Sequence, residues 1–181
     1  MATPTRVPIL LAAVLAAACS RSLPPASSAK EPAAPAFLSE HTNHPEDLRA
    51  IEDVLAAYPL AVTQGDPAAF ESLLLNTTIA FTSTDELTAR DGSPNSDLQR
   101  YPRFRKAVFE SGRRYTQRFY NVHIQQDGDL AQASLDFVTQ DARTGRGAFG
   151  WKSLQLLKVQ GRWKIASEIY TVRALPASPS K

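Results

Sequence analysis

Leu48, Ile51, Leu55, Tyr58 and Val62 recur at spacings of three and four, the period of a helix face turned toward a core. Pro45 suits the first turn, and Glu46 and Asp47 suit its positive end. Pro59 has no N–H to bond the carbonyl of Leu55, so the pattern predicts a kink or break there, and Gly65 ends the helix. Asp66-Pro67 then reads as an N-cap and a first-position proline for a short helix over 68–74, with Phe70, Leu73 and Leu74 apolar. After Asn76 the period shortens, and 79–82 reads as a strand followed by a polar loop through Asp91-Gly92-Ser93-Pro94. A third helix is expected over 102–110, closed by Gly112, with Phe104 and Val108 inward. The rest reads as strands. Segments 118–126 and 130–140 flank Asp127-Gly128, and 151–159 and 162–172 flank Gln160-Gly161, two tight hairpins. Two or three helices followed by an antiparallel meander predict an α+β domain with the helices on one face of the sheet.

The N-terminal segment follows a different rule. Arg6 precedes an apolar run, Val7 to Leu15, which ends in Ala16-Ala17-Ala18-Cys19. That is an export signal, too short to span a bilayer. Cys19 after three small residues resembles the lipobox of bacterial lipoproteins, in which the signal is removed before a Cys that becomes the lipid anchor. Ala16-Ala17-Ala18 also satisfies ordinary signal cleavage, which would release a soluble periplasmic or secreted protein. Ser20 rather than Asp after the Cys fits, by the same resemblance, the periplasmic face of the outer membrane. From residue 20 to about 40 the chain is rich in Pro, Ala and Ser, a composition that favours an extended tether over a packed core. Of the 13 prolines only Pro59, Pro67, Pro94 and Pro102 fall between Glu46 and Ala174, whereas all 8 glycines do. The chain therefore divides into a signal segment (1–18), a tether (19–45), a folded domain (46–174) and a tail (175–181).

Charge and composition narrow the picture further. With 20 Lys+Arg against 18 Asp+Glu the net charge is +2, and the signs are mixed along the chain, so no nucleic-acid footprint is expected. Membrane association is expected through the N-terminal lipid alone. The one Cys excludes intrachain disulfides and zinc sites of the CxxC type. His41 and His44 near acidic residues are read as solvated linker residues, and neither metal nor cofactor is expected. The basic stretch from Arg100 to Arg118, with Tyr101, Phe104, Phe109 and Tyr115 between, is read as a solvated helix face with core aromatics.

The run Leu154-Gln155-Leu156-Leu157-Lys158-Val159-Gln160-Gly161-Arg162-Trp163-Lys164-Ile165, after three helices and the Ile79-Ala80-Phe81 strand, resembles the close of the nuclear transport factor 2-like superfamily. It is similar in particular to the polyketide-cyclase-like (SnoaL-like) and lumazine-binding branches. The resemblance covers about 46–174 and implies a cone, in which a strongly curved antiparallel sheet with two to three N-terminal helices over its concave face encloses a conical, mostly apolar pocket. That architecture hosts isomerases, cyclases, dehydratases and non-catalytic members, so fold alone names no reaction.

Strand parity tests the chemistry, because an inward carboxylate must share parity with the apolar set. Parity groups Ala131, Ala133, Leu135 and Phe137 inward and sends Asp136 out. It places Tyr120, Val122 and Ile124 inward and His123 outward. In the last strand Trp163, Ile165 and Ile169 carry Ser167 and Thr171 inward and turn Glu168 and Tyr170 outward. No strand carboxylate is then expected in the cone. The candidate pocket lining is Tyr58, Tyr101, Leu135, Phe137, Thr139, Ile165, Ser167 and Thr171, rich in hydroxyls that orient a ligand but are weak bases. The strand 151–159 is apolar on both faces, so the outer face is expected to be partly covered, with Lys152 and the candidate interface residues His123, Asp136, Trp151, Leu157, Glu168 and Tyr170 gathered there.

These observations favour a non-catalytic envelope protein that binds a small apolar molecule or packs its own core. One alternative is an isomerase, cyclase or dehydratase of the ketosteroid-isomerase kind, using Tyr58, Tyr101 or an acid among Asp85, Glu86 and Asp91. The other is an interaction module that forms a homodimer through the sheet. No catalytic residue is assigned.

Overall fold

The structure, a computed structural model, describes residues 34–35, 41, 43–87 and 92–176. The expected signal segment, Cys19, most of the tether and tail, and Asp91 lie outside the described residues. The chain divides into two units, Met1–Leu38 and Ser39–Lys181. In the first only 34–35 are described, exposed and without secondary structure, and everything below concerns the second.

Helix α1 (Pro45–Gln64) presents Ile51, Leu55, Tyr58 and Val62 as its buried face, as the spacing predicts. Pro59 does not end it. Tyr58, Ala61 and Val62 on either side of the proline are all buried, and that packing holds the helix together across the one missing bond. Gly65 caps the helix in the left-handed region, at φ 69°, where a side chain would be strained. Asp66 then caps α2 (Pro67–Leu73), its carboxylate accepting from the Ala69 N–H at 2.9 Å. After strand β1 (Ala80–Ser83) come a 3₁₀ turn (Thr84–Leu87) and α3 (Tyr101–Phe109). Strands β2 (Tyr115–Asp127), β3 (Leu130–Asp141), β4 (Gly147–Val159), β5 (Arg162–Tyr170) and β6 (Arg173–Ala174) follow.

The main path of the sheet runs β1-β5-β4-β3-β2, with β6 paired to β4. The β2–β5 meander is antiparallel. The first strand departs from the expectation by joining β5 in parallel, which its entry from the helical side of the sheet allows. At the β4–β5 turn Gln160 and Gly161 both take positive φ, 51° and 75°, the geometry that suits a two-residue hairpin. Against the inner face pack Ile51, Tyr58, Phe70, Phe81, Leu135, Leu154, Leu156 and Ile165, each with no exposed surface. Each contributes about 1.5–3 kcal/mol of burial.

Two bulges reset the face that each strand turns inward. In β2 the register slips between Tyr120 and His123, with Asn121 at φ 51°. In β5 Leu156 faces Ile165 while Gln155 faces Ser167, so Ala166 is the extra residue. A bulge inserts one residue and reverses alternation beyond it. The expected parity therefore holds on one side of each bulge only. Tyr120 and Val122 are exposed rather than inward, Ser167 and Thr171 leave the inner face, and Glu168 and Tyr170 enter it.

Asp47, in the first turn of α1, is where the helix meets both hairpins. Its carboxylate accepts from Trp163 Nε1 at 3.0 Å, Gln126 Nε2 at 2.9 Å and Lys158 Nζ at 2.7 Å. Gln126 in turn accepts from the His44 N–H and donates to the Gly128 carbonyl. The bond from Lys158, then that from Trp163, hold the Asp47 carboxyl at about 2, below the usual 3.8. A folded-state value below the unfolded one means that the stabilisation is complete above about pH 4 and is lost as pH falls through about 2. Chemical denaturation of wild type should therefore weaken over that window, and Asp47→Asn should flatten this part of the pH profile. An Asp47→Asn variant with the same acid limb as wild type would refute the assignment.

Candidate ligand groove beside a buried ion pair

Inside the cone the structure places an ion pair that parity did not anticipate. Lys152 shares the inward face of β4 with Leu154 and Leu156, and the bulge at Ala166 turns Glu168 toward it. Lys152 Nζ bonds Glu168 Oε1 and donates to the Tyr58 hydroxyl at 2.9 Å. Tyr58 donates to the same Glu168 oxygen, also at 2.9 Å. The two charged residues are 1% and 0% exposed. Aromatic faces complete the enclosure, with Nζ lying 4.7, 4.8 and 4.6 Å from the ring centres of Tyr58, Phe137 and Tyr170. The other carboxylate oxygen, Oε2, is buried with no hydrogen-bond partner among the described residues.

Burial dominates the electrostatics of this cluster. It pulls Lys152 below the ordinary lysine range, with Glu168 acting in the opposite direction. Burial, reinforced by the Glu168 charge, pushes the Tyr58 and Tyr170 hydroxyls upward. Tyr101, also raised chiefly by burial, donates to Glu71 at 2.9 Å instead. Tyr58 and Tyr101 accordingly serve as hydrogen-bond donors, to Glu168 and to Glu71.

Of the residues expected to line a pocket, Tyr58, Tyr101, Leu135, Phe137 and Ile165 are buried and fill the cone. Thr139 is half-buried and accepts from Gln117 Nε2 at 2.8 Å. Ser167 donates to Gln155 across the outer face, and Thr171 accepts from the Trp151 N–H. Of the expected interface set, Trp151 is 48% exposed, Leu157 is half-buried and His123 is exposed. Asp136 accepts from Asn121 Nδ2 at 2.7 Å. Lys152, Glu168 and Tyr170 leave that set for the inside of the cone, because of the β4 alternation and the β5 bulge. Asp85 and Glu86 sit on the 3₁₀ turn, and Glu86 pairs with Arg103 at 3.1 Å. Arg100 and Arg105 pair with Asp97 and Glu71. His41 approaches Asp127 at 3.7 Å. Among the described residues no group of three or more His, Cys, Asp or Glu is placed to hold a metal ion, and no helix is long and apolar enough to cross a membrane.

The open apolar concavity lies outside the cone, between α1 and β2, with a volume of about 560 Å³. Helix α1 contributes Leu48, Glu52, Leu55, Ala56 and Pro59, which share one helical face, and Asn43 closes one end. Strand β2 contributes Phe119, Val122, His123 and Ile124, and it is the bulge after Tyr120 that turns Val122 and His123 toward the helix. The inner wall is thin: Phe119 packs against Tyr58 at 5.0 Å between ring centres, so the groove and the ion pair meet across one aromatic layer. A second concavity of about 590 Å³ is lined by Gln140, Thr144, Arg146, Ala174, Leu175 and Pro176 among others.

This arrangement of helices, curved sheet and filled cone has a counterpart among known families. The family model of the SnoaL-like domain matches residues 51–170. The chain belongs to the SnoaL-like domain family. Solved structures agree on the nuclear transport factor 2-like α+β cone. One is a protein of unknown function with a cystatin-like fold from Nostoc punctiforme, at 14% identity and TM-score 0.55, over 75% of this chain and 96% of that one. Another is a nuclear transport factor 2-like protein of unknown function from Shewanella baltica, at 17% identity and TM-score 0.51, over 75% and 99% of the two chains. A third is a candidate scytalone dehydratase from Novosphingobium aromaticivorans, at 16% identity and TM-score 0.54, over 75% and 89%. At these identities the SnoaL-like chain shares their fold, not a demonstrated activity. No curated protein matches it.

The buried pair yields a double-mutant test. Lys152→Met leaves a buried carboxylate unpaired and should lower stability by about 3–5 kcal/mol. Lys152→Met combined with Glu168→Leu should recover most of that loss, because no charge is then left in the cone. Urea unfolding of both variants checks this; a double variant no more stable than the single one would refute the pairing.

Proposed function

We propose that this SnoaL-like domain is a binding module of the bacterial cell envelope that holds a small, largely apolar molecule in the α1–β2 groove and performs no chemistry on it. The observation that carries this reading is a separation: Lys152, Glu168 and Tyr58 lie sealed and mutually bonded inside the cone, while the accessible concavity outside it is mostly apolar and holds Glu52 and His123 only singly, one on α1 and one on β2. Its volume falls within the range of about 300–1,000 Å³ that small-molecule sites occupy. Seven of its ten lining residues, Leu48, Leu55, Ala56, Pro59, Phe119, Val122 and Ile124, are apolar, and a few polar groups at the edges give the orientation such sites need.

The envelope location rests on the sequence: the apolar run ending at Cys19, the small residues before it and the Pro-rich segment after it. In this reading Cys19 carries the lipid and the tether holds the domain on the periplasmic face of the outer membrane.

A second reading is favoured by Glu168 Oε2, a buried acceptor without a partner among the described residues, as a proton-transfer enzyme presents to its substrate; it would place a dehydratase or isomerase beneath Phe119. Such an enzyme requires a ligand that displaces an aromatic wall of the cluster, Phe119 on the groove side or Tyr170 on the side of Arg100 and Arg103, so a ligand-bound structure with both unmoved would count against it. A protein-interaction role is supported by Tyr120 and Trp151, 45% and 48% exposed. Both pair with Asp136 from opposite sides.

Ala56 is exposed on the helical wall of the groove, so Ala56→Trp should fill the groove without touching the core. N-phenyl-1-naphthylamine, a neutral apolar fluorophore, should brighten with the wild-type domain and lose at least about tenfold in affinity with Ala56→Trp. Equal binding by the two proteins would place the ligand elsewhere. For the anchor, Cys19→Ser should move the protein from the membrane fraction to the soluble fraction. Unchanged partition of that variant would remove the lipid claim.

A further inference from the structure

The groove's polar groups are unequal in kind, and that inequality specifies a ligand. Among its ten lining residues Glu52 alone carries a fixed charge at neutral pH. One turn further along α1 comes Leu55, 5% exposed, whose carbonyl is the one that the following proline affects. In a regular helix it would accept from the N–H of residue 59, but Pro59 has none, so this carbonyl lacks its intrahelical donor. Both Leu55 and Pro59 line the groove. At the end that Asn43 closes, its amide nitrogen donates one hydrogen to the Ile124 carbonyl at 3.3 Å, which leaves the amide oxygen and one N–H for other partners. The His123 ring adds a further N–H. The groove thus offers one carboxylate, no Lys or Arg, and few neutral donors.

We infer that the groove takes a small amphiphile whose apolar body lies between α1 and Phe119 and whose head is a protonated amine donating to Glu52 and the Leu55 carbonyl. This rests on the groove being the ligand site. A carboxylate head would meet like charge at Glu52 and find no donor at Leu55. An alcohol could donate one hydrogen bond but would gain nothing from the charge. Pro59 has a role on this account: it sacrifices one bond of α1 to open an acceptor inside an apolar wall.

Three probes with one carbon skeleton test this: 4-phenylbutylamine, 4-phenylbutanol and 4-phenylbutyrate, each competed against N-phenyl-1-naphthylamine on the purified full chain. The amine should bind about tenfold tighter than the carboxylate, the factor expected between attraction and repulsion by one partly exposed charge, with the alcohol between them. Glu52→Gln should bring the amine down to the alcohol's level. Pro59→Ala restores the N–H to Leu55 and should weaken the amine by about threefold, as loss of one hydrogen-bond acceptor would. Binding of the carboxylate as tight as the amine, or an amine preference that survives Glu52→Gln, would overturn the head-group inference while leaving the groove intact as a site for apolar molecules. Failure of all three probes together with failure of the fluorophore would instead overturn the groove itself.

Discussion

An ammonium and a carboxylate held out of water at the centre of an apolar cone impose a condition that the surrounding elements must meet together. Removing such ions from water is worth several kcal/mol against folding for each ion, and their attraction offsets this only when geometry and hydrogen bonds are complete. Completeness here draws on α1 for Tyr58, on β4 for Lys152 and on β5 for Glu168. Phe137 and Tyr170 close the space around Nζ. A slip of β4 against β5 by one residue would send one of the two charges to the outer face and leave the other buried alone. The pair therefore acts more as a register key for the last two long strands than as a source of net stability.

The same condition explains why the cone is not open. Tyr58, Phe70, Phe81 and Tyr101 interlock through ring contacts of 4.6–6.5 Å between centres, and the space a ligand would need is taken up by these rings and by the lysine stem. One concavity lies outward of it, along the seam between α1 and the bulged half of β2. A single inserted residue, Asn121 at positive φ, thus helps create a groove that a regular strand would lack.

Periodicity revealed the helices, because three- and four-residue spacings in α1 and the Asp66-Pro67 cap are local signals that packing did not override. Both hairpin turns were legible for the same reason, as was the family, through the run that ends at Trp163-Lys164-Ile165. The face assignments beyond Tyr120 and beyond Ile165 were not legible. A bulge at an alanine or an asparagine carries no distinctive residue, and its consequence is felt several positions away. Lys152 left a trace, since it alternates with Leu154 and Leu156; an apolar-seeking reading passes over a lysine in that position. Glu168 left none, because its inward direction exists only after Ala166 is counted as extra. The parallel pairing of β1 was equally hidden, being fixed by where the chain returns from the helices rather than by anything in Ala80–Ser83.

The knot at Asp47 bears on mechanics. The first residues of the domain are fastened to the tips of both hairpins, through Asn43 to Ile124, His44 to Gln126, and Asp47 to Trp163 and Lys158. A load applied at the N-terminal end would be divided among several bonds on two separate strand pairs instead of peeling α1 from one end. The domain would then be stiffest at the point where a tether would pull on it.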